Sequence, residues 1–410
     1  LTCRSILRRR AIRPAPALWL ELRTQAVDTA RPSNRGGMTV RRTAKVVGLV
    51  LIAGLAIVLA IGLRPFVDRD AAASRPVPLA ESPLPAEQAG TIQRYIEDEA
   101  DPIDAFVALQ GDRVLVAYGE VGTPMNLASA RKSVVSLLFG IASDRGLIDL
   151  DRTLGELGID ERRTPLTDAE KQATVEHLLQ SRSGIYLQSG AETVENRDGR
   201  PRRGQYAPGE HFFYNNWDFN VLGAILEQES GLSIGQALDA WLAVPLGMQD
   251  FNPGHVLYDK QGSDSDYRTY RIHMSARDLA RLGALVAQDG MWNQTRIVSA
   301  EWIDRSTTAY SATGGPFYDG FGYSWWLNSA LDAVLADGWG GQYMLVDRHR
   351  DLTLVTRRDT GNSIVGFLVF SGFGKQGHPA DIQKLYQRLR QMPPHGGSTP
   401  PTPPAAAPPG

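Results

Sequence analysis

The chain has 410 residues, 42% hydrophobic and 21% charged, the balance of an ordinary globular protein long enough for two average domains or one large domain with tails. Its formal net charge of -2 hides an asymmetry: residues 1–45 carry eleven basic and two acidic side chains, so the remainder is acidic and a nucleic-acid partner is not expected. Cys3 is the only cysteine and the seven histidines show no ligand spacing, which excludes an internal disulfide and argues against a zinc site; no metal and no cofactor is expected.

Residues 1–45 read as a basic extension, disordered or lying ahead of the true start, with Met38 as the candidate start. Val46 to Leu63 is a run of 18 residues without a charge, preceded by Arg41, Arg42 and Lys45. That pattern predicts a single transmembrane anchor with its N-terminus in the cytoplasm and the body on the periplasmic or extracytoplasmic side. A cleaved signal peptide is the alternative, with the small residues Ala71 to Ser74 as its site, but Arg64-Pro65-Phe66 directly behind the apolar run argues against it. Residues 64–89, proline-rich between Arg75 and Pro85, read as a linker. Residues 90–392 form the folded body, and the Pro-rich segment 393–410 reads as a disordered tail.

Within the body, Ala105 to Leu109 and Val114 to Tyr118 alternate around Gln110-Gly111-Asp112, a hairpin signal. Helices are predicted at Ser129–Arg145, Val175–Gln180 with Thr174 as N-cap, Trp217–Ser230, Ser233–Ala243 and Ser275–Asp289. Ser275-Ala-Arg-Asp278 resembles a capping box with Asp in place of Glu. Strands rich in aromatic and β-branched residues follow at Phe321–Leu327, Tyr343–Val346, Leu352–Thr356 and Ile364–Phe370, and a helix at Ala380–Met392 closes the chain. Strands come first and last. The fold class is therefore α/β in the α+β sense: an antiparallel sheet built from both chain ends and flanked by helices, with an inserted helical subdomain and a cleft where the two meet.

Ser129-Ala130-Arg131-Lys132 is the most informative stretch. On a helix, Ser129 and Lys132 share a face one turn apart, and a hydroxyl at a positive helix end beside an amine is a candidate nucleophile. Only six of the 43 basic residues are lysines, and no other lysine has a serine three residues before it. Alone, the tetrad is equally an N-cap serine followed by a solvated lysine. Tyr214-Asn215-Asn216 leads into an amphipathic helix and is the only Tyr-x-Asn in the chain. A phenol near a lysine can relay the serine proton, and an amide can orient the lysine and the substrate carbonyl.

Together these residues resemble the penicillin-recognising serine hydrolases, a superfamily that includes class C β-lactamases, D-alanyl-D-alanine carboxypeptidases, family VIII carboxylesterases and 6-aminohexanoate-dimer hydrolases. The likeness covers roughly residues 90–392 and is strongest to the 6-aminohexanoate-dimer hydrolase and esterase branch. It includes Thr174-Val-Glu-His-Leu-Leu179 with Ser183-Gly184-Ile185, Pro245-Leu-Gly-Met248, Ser275 to Gly283, and Gly322-Tyr-Ser-Trp-Trp326. The resemblance implies the β-lactamase/transpeptidase-like fold. It makes Ser129 the acylated nucleophile, Lys132 its base or proton relay, Tyr214 the partner acid/base and Asn216 the orienting amide.

The superfamily's third motif, Lys-Thr-Gly or His-x-Gly on a sheet edge, is matched by Trp339-Gly340-Gly341-Gln342. Glycines let backbone approach the substrate, and the N–H of Gln342 with that of Ser129 would form an oxyanion hole. The cation that grips a substrate carboxylate is missing. A neutral small-molecule amide or ester is therefore expected rather than a β-lactam or D-Ala-D-Ala peptide. The competing reading of Trp339 is a catalytically impaired binding or sensor protein on the same fold.

Three further motifs read as decoys. Lys260-Gln-Gly262 and Lys375-Gln-Gly377 are candidate sources of the cation, and Gly231-Leu-Ser233-Ile-Gly235 mimics a nucleophile elbow. An elbow needs a strand before its turn, and a helix precedes this one, so Gly231 reads as a helix stop and Ser233 as an N-cap. His177 reads as a helix residue, and Asp218 and Asp151 as capping or solvated acids.

Overall fold

The computed structural model describes residue 47, residues 52–260 and residues 265–392. The chain divides into two units, Leu1–Val58 and Leu59–Gly410. In the first, the described residues are helical, with Val47, Ile52, Leu55, Ile57 and Val58 exposed. The readings of residues 1–45 and of the tail 393–410 lie outside the described residues.

The expected anchor is corrected. Among the described residues no helix is long and apolar enough to cross a membrane. The extracytoplasmic placement built on that anchor falls with it.

Beyond residue 63 the chain is held against the body. Val67 is buried and exchanges hydrogen bonds with the Asn362 side chain at 3.1 and 2.8 Å, while Arg69 makes a two-bond ion pair with Asp359 at 2.8 Å. In the stretch read as a linker, β1 (Ala80–Glu81) adds to the main sheet.

A helix not foreseen in the sequence, α1 (Ala86–Asp98), precedes the predicted hairpin of β2 (Ala105–Gln110) and β3 (Arg113–Gly119). Next come β4 (Met125–Asn126), α2 (Arg131–Asp144), and the short helices α3 (Val175–Leu179) and α4 (Val194–Asp198). The helical insertion continues with α5 (Asn216–Ser230) and α6 (Ile234–Leu238), then β5 (Val256–Tyr258), β6 (Tyr270–Met274) and α7 (Ala276–Ala287). A small hairpin, β7 (Met291–Trp292) and β8 (Thr295–Arg296), leads to α8 (Ala300–Ser306). The chain returns to the sheet through β9 (Ser311–Ala312), β10 (Gly320–Phe321), β11 (Trp326–Asn328), β12 (Ala333–Gly338), β13 (Gln342–Asp347) and β14 (Leu352–Arg357). It closes with α9 (Ile364–Phe373) and α10 (Pro379–Gln391).

The main sheet has nine strands in the order β1-β3-β2-β14-β13-β12-β11-β10-β9, antiparallel except at β1–β3. Pairing of β14 with β2, Leu354 opposite Ala108, joins the two ends of the chain as expected. Side chains alternate across each strand. Phe106, Ala108, Leu345 and Leu354 meet Ile92, Tyr95, Ile382, Leu385 and Tyr386 of α1 and α10 on one face. Ala105, Val107, Leu109, Met344 and Val355 meet the helical insertion on the other.

Two strand predictions fail for physical reasons. Ile364–Phe370 is helical, as part of α9. A short apolar run does not distinguish the two periods, and β14 already has β13 and β2 on both edges. Ser363 instead caps the helix, its Oγ accepting from Gly366 N at 3.0 Å. Phe321–Leu327 is broken between β10 and β11, where Ser324 takes φ 63° and donates its N–H to Leu179 O at 2.9 Å.

The family-like segments turn out to be braces. Ser275 caps α7 by accepting from Asp278 N, yet the Asp278 carboxylate leaves the box and accepts from Gln249, Asp250 and Phe251 N–H at 2.7, 2.8 and 2.9 Å. Ser133 on α2 donates to Ser324 O at 2.7 Å.

Candidate active site

Ser129 sits in a 3-10 turn, Ala128–Ala130, that feeds α2. The turn is entered through strain: Ala128 has φ 47°, a left-handed conformation that a side chain resists. Asn126 stabilises the turn, its Oδ1 accepting from Ala128 N at 3.0 Å. Gly338, at the end of β12, packs directly on it. A Cβ there would lie 2.2 Å from Leu127 O and 3.1 Å from Ala130 N.

Lys132, one turn on, is 3% exposed. Its Nζ lies 3.0 Å from Ser129 Oγ, 2.5 Å from Tyr214 OH and 2.8 Å from Asn216 Oδ1. The three partners come from two elements. Ser129 shares the segment of Lys132, whereas Tyr214 and Asn216 flank the start of α5, where Asn215 is the N-cap and accepts from Trp217 N at 3.0 Å. Asn216 is clamped from behind, its Nδ2 donating to Ala191 O at 2.6 Å. The Tyr214 ring packs against Phe219 at 5.2 Å and Trp326 at 5.3 Å.

Electrostatics favour an uncharged amine. Burial pushes the Lys132 ammonium well below its ordinary range, the Arg131 guanidinium pushes it further, and Asp337 opposes both. Burial pushes the Tyr214 phenol up, against a hydrogen bond with Ser129 that acts the other way. Arg131 is 5% exposed, with its guanidinium over the Tyr270 ring at 4.2 Å and its Nη1 without a hydrogen-bond partner. Asp337 accepts from Tyr318 OH at 2.7 Å, and burial raises its carboxyl.

A cavity of about 350 Å³ opens on this cluster, lined by Ser129, Tyr214, Asn216 and Trp339 among the predicted residues, and also by Arg131, Tyr270, Arg271 and Phe367. Trp339 is 39% exposed and its ring lies 6.0 Å from that of Phe367 and 5.5 Å from that of Phe370. Gly340 and Gly341 make the β12–β13 turn at φ 89° and 105°. The Gln342 side chain is committed elsewhere. It accepts from Arg357 Nε and donates to Arg358 O, both at 2.7 Å, so its contribution to a substrate is confined to backbone. Arg271 is paired with Asp259 at 3.0 Å and Glu192 with Arg200. Arg131 has no carboxylate partner among the described residues.

Arg131, Asp337 and Phe367 escaped the sequence reading. Arg131 was visible inside the tetrad. Asp337 stands near the end of β12, two residues before Trp339 of the turn. Phe367 lay in the misread strand. The decoys resolve. Ser233 caps α6, accepting from Gln236 N at 3.3 Å, and Gly231 ends α5 at φ 69°. Gly377 backbone runs past Gly341, but the Lys375 side chain is exposed and does not line the cavity. Gln261 and Gly262 lie outside the described residues. His177 completes a capping box with Thr174. Asp218 is a correction. It is buried rather than solvated, accepts from Ser183 Oγ at 2.6 Å, and has its carboxyl raised well above the usual range by that burial.

The Beta-lactamase family matches residues 92–380. Esterase EstB of Burkholderia gladioli is 33% identical over 163 residues, 33% of this chain and 41% of the esterase, so the match spans about two fifths of that relative's length. The 6-aminohexanoate-dimer hydrolase of Paenarthrobacter ureafaciens is 26% identical over 288 residues, 62% of this chain and 71% of that protein. The crystal structure of a family VIII carboxylesterase superposes with a TM-score of 0.53 at 15% identity, covering 78% of this chain and 99% of that one. The match of the family over most of the chain, on a fold that those structures share, establishes that the chain belongs to the Beta-lactamase family of serine hydrolases and their relatives.

Proposed function

We propose that this protein hydrolyses a neutral amide or ester through an acyl-enzyme on Ser129. Neutral Lys132 takes the Ser129 proton as Oγ attacks the substrate carbonyl carbon, and the resulting oxyanion accepts from the backbone N–H groups of Ser129 and Gln342. The proton passes through Lys132 and Tyr214 to the leaving amine or alkoxide as its bond to the carbonyl carbon breaks. Water then attacks the acyl carbon, giving its proton back along the same relay, and the acid leaves as Ser129 Oγ is reprotonated. Asn216 holds the amine in place.

The observation that carries this reading is the Lys132 amine at hydrogen-bond distance from Ser129, Tyr214 and Asn216 at once. The uncharged Trp339, where a cation would grip a carboxylate, supports a neutral substrate. Intact-protein mass spectrometry after a fluorophosphonate tests it: one adduct, absent in Ser129→Ala together with turnover of p-nitrophenyl acetate, is expected. An adduct at Ser233, or saturable ligand binding with neither adduct nor turnover, sinks the proposal, and the latter marks a binding protein.

A further inference from the structure

The cavity does not end at its mouth. Among the described residues beyond 63, most of the large apolar side chains left exposed sit on the β12–β13 turn and on α9: Trp339, Ile364, Leu368, Val369 and Phe373 at 39, 49, 61, 55 and 90%. Ile364, Phe367 and Leu368 follow the i, i+3, i+4 spacing, so they form one stripe along the helix. Phe367, in the middle of that stripe, lines the cavity with Ser129, and Trp339 bridges the two. Exposed apolar surface of this extent marks a place where something apolar docks. Continuity with the cavity that holds the nucleophile identifies the occupant as part of the substrate rather than a separate partner.

We infer that the substrate carries an extended alkyl group, which leaves the reaction centre past Trp339 and Phe367 and lies along the Ile364–Leu368 stripe of α9. The inference rests on the hydrolase reading above and adds the substrate class: a medium-chain lipophilic ester or amide. Neighbouring side chains agree. Of the charged groups of the cavity wall, Arg271 and Glu192 are paired with Asp259 and Arg200, and Arg131 is buried with its guanidinium over the Tyr270 ring. The stripe belongs to α9, the segment that replaces an expected strand.

Two ester series test it, p-nitrophenyl alkanoates lengthened on the acyl side and alkyl acetates lengthened on the alcohol side. In one of them kcat/KM is expected to rise up to about fourfold per methylene as chain length grows, the transfer value of a buried CH₂. The series that rises tells which half of the substrate the stripe holds. Leu368→Asn, a change at an exposed position, and Phe367→Ala should flatten that slope, whereas Leu147→Asn, on another surface, should not. Flat profiles in both series, or a slope untouched in both variants, overturn the inference. Calorimetry keeps it separable from the catalytic reading: if the wild-type protein turns over neither series, 1-octanol binding that 1-butanol does not match, and that Leu368→Asn weakens, upholds the apolar stripe, and its absence refutes it.

Discussion

Gly338→Ala is a one-carbon test of how closely the third-motif hairpin holds the nucleophile. The added methyl would stand 2.2 Å from Leu127 O, 2.9 Å from Gln342 Cβ and 3.1 Å from Ala130 N. Ordinary van der Waals contact begins near 3.4 Å, so the hairpin and the Ser129 turn must separate by about 1 Å. Two of these contacts, Leu127 O and Ala130 N, are backbone, which no side-chain rotation relieves. Overpacking of this kind costs about 1–3 kcal/mol of stability. A misplacement of about 1 Å at a reacting atom costs on the order of a hundredfold in rate. The turn carries Ser129 and the hairpin carries the Gln342 N–H, so both halves of the reaction geometry move apart together. We expect kcat on p-nitrophenyl acetate to fall about a hundredfold, with a folded protein by circular dichroism and a lowered melting temperature. Gly90→Ala is the matched control: on α1 its methyl meets only Arg94 Nη1 at 3.5 Å, and it should stabilise by about 0.5–1 kcal/mol with turnover unchanged. Turnover of Gly338→Ala within about threefold of wild type would falsify the claim that Gly338 sets the position of Ser129.

The Lys132 amine must be uncharged to act as a base, and its folded value lies below the ordinary one, so kcat/KM should fall as pH drops through that lowered value. Arg131→Met removes a repelling charge and should move this acid limb up by about one pH unit, while Asp337→Asn removes an attracting one and should move it down by a similar amount; shifts of the same sign in a pH–rate series would contradict the arrangement. Tyr214→Phe should lower kcat by about 10²–10⁴ while Ser129 still reacts with fluorophosphonate, and an unchanged kcat would remove Tyr214 from the relay. Ser233→Ala should cost about 1 kcal/mol of stability through its lost cap and leave turnover intact, checked by thermal melting beside the ester assay.

Much of the fold was legible because its ends and its middle carry unlike periods: alternating strands at Ala105–Tyr118 and Tyr343–Thr356, helical stripes between. What was not legible depended on tertiary context. Ile364–Phe370 has the composition of a strand, and only the absence of a free edge beside β14 makes it a helix. α1 was hidden by its place after a proline-rich stretch, although Ile92, Tyr95 and Ile96 form a short apolar stripe once seen. In the site, Ser129, Lys132, Tyr214 and Asn216 were readable because their residue types announce chemistry. Asp337 and Arg131 were not, because an acid on a strand and an arginine on a helix are ordinarily solvated, and only burial turns them into charges that act on Lys132. The apolar run at Val46–Leu63 misled in the opposite direction, since among the described residues no helix is long and apolar enough to cross a membrane.

The hydrogen-bond count at Lys132 says how the four residues would work as a unit in the proposed reaction. A neutral amine offers two N–H donors and one lone pair, three positions for its three neighbours. Asn216 Oδ1 can only accept, and its orientation is forced by the opposite end of the amide, where Nδ2 donates to Ala191 O at 2.6 Å. One N–H is therefore spent on Asn216. What remains is one donor and one acceptor, shared between two hydroxyls that can each play either part. If the lone pair faces Ser129 Oγ–H, the other N–H faces Tyr214, and the amine is set to take the nucleophile's proton. If the roles exchange, Tyr214 O–H faces the amine and Ser129 is the acceptor, the arrangement needed to return a proton after deacylation. A protonated Lys132 would have no lone pair, and both hydroxyls would be held as acceptors with no base between them. Burial and Arg131 disfavour that state, against the pull of Asp337. The proposed relay would thus follow from the fixed direction of one amide and the charge state of one amine, with Ser129 and Tyr214 as its two interchangeable ends.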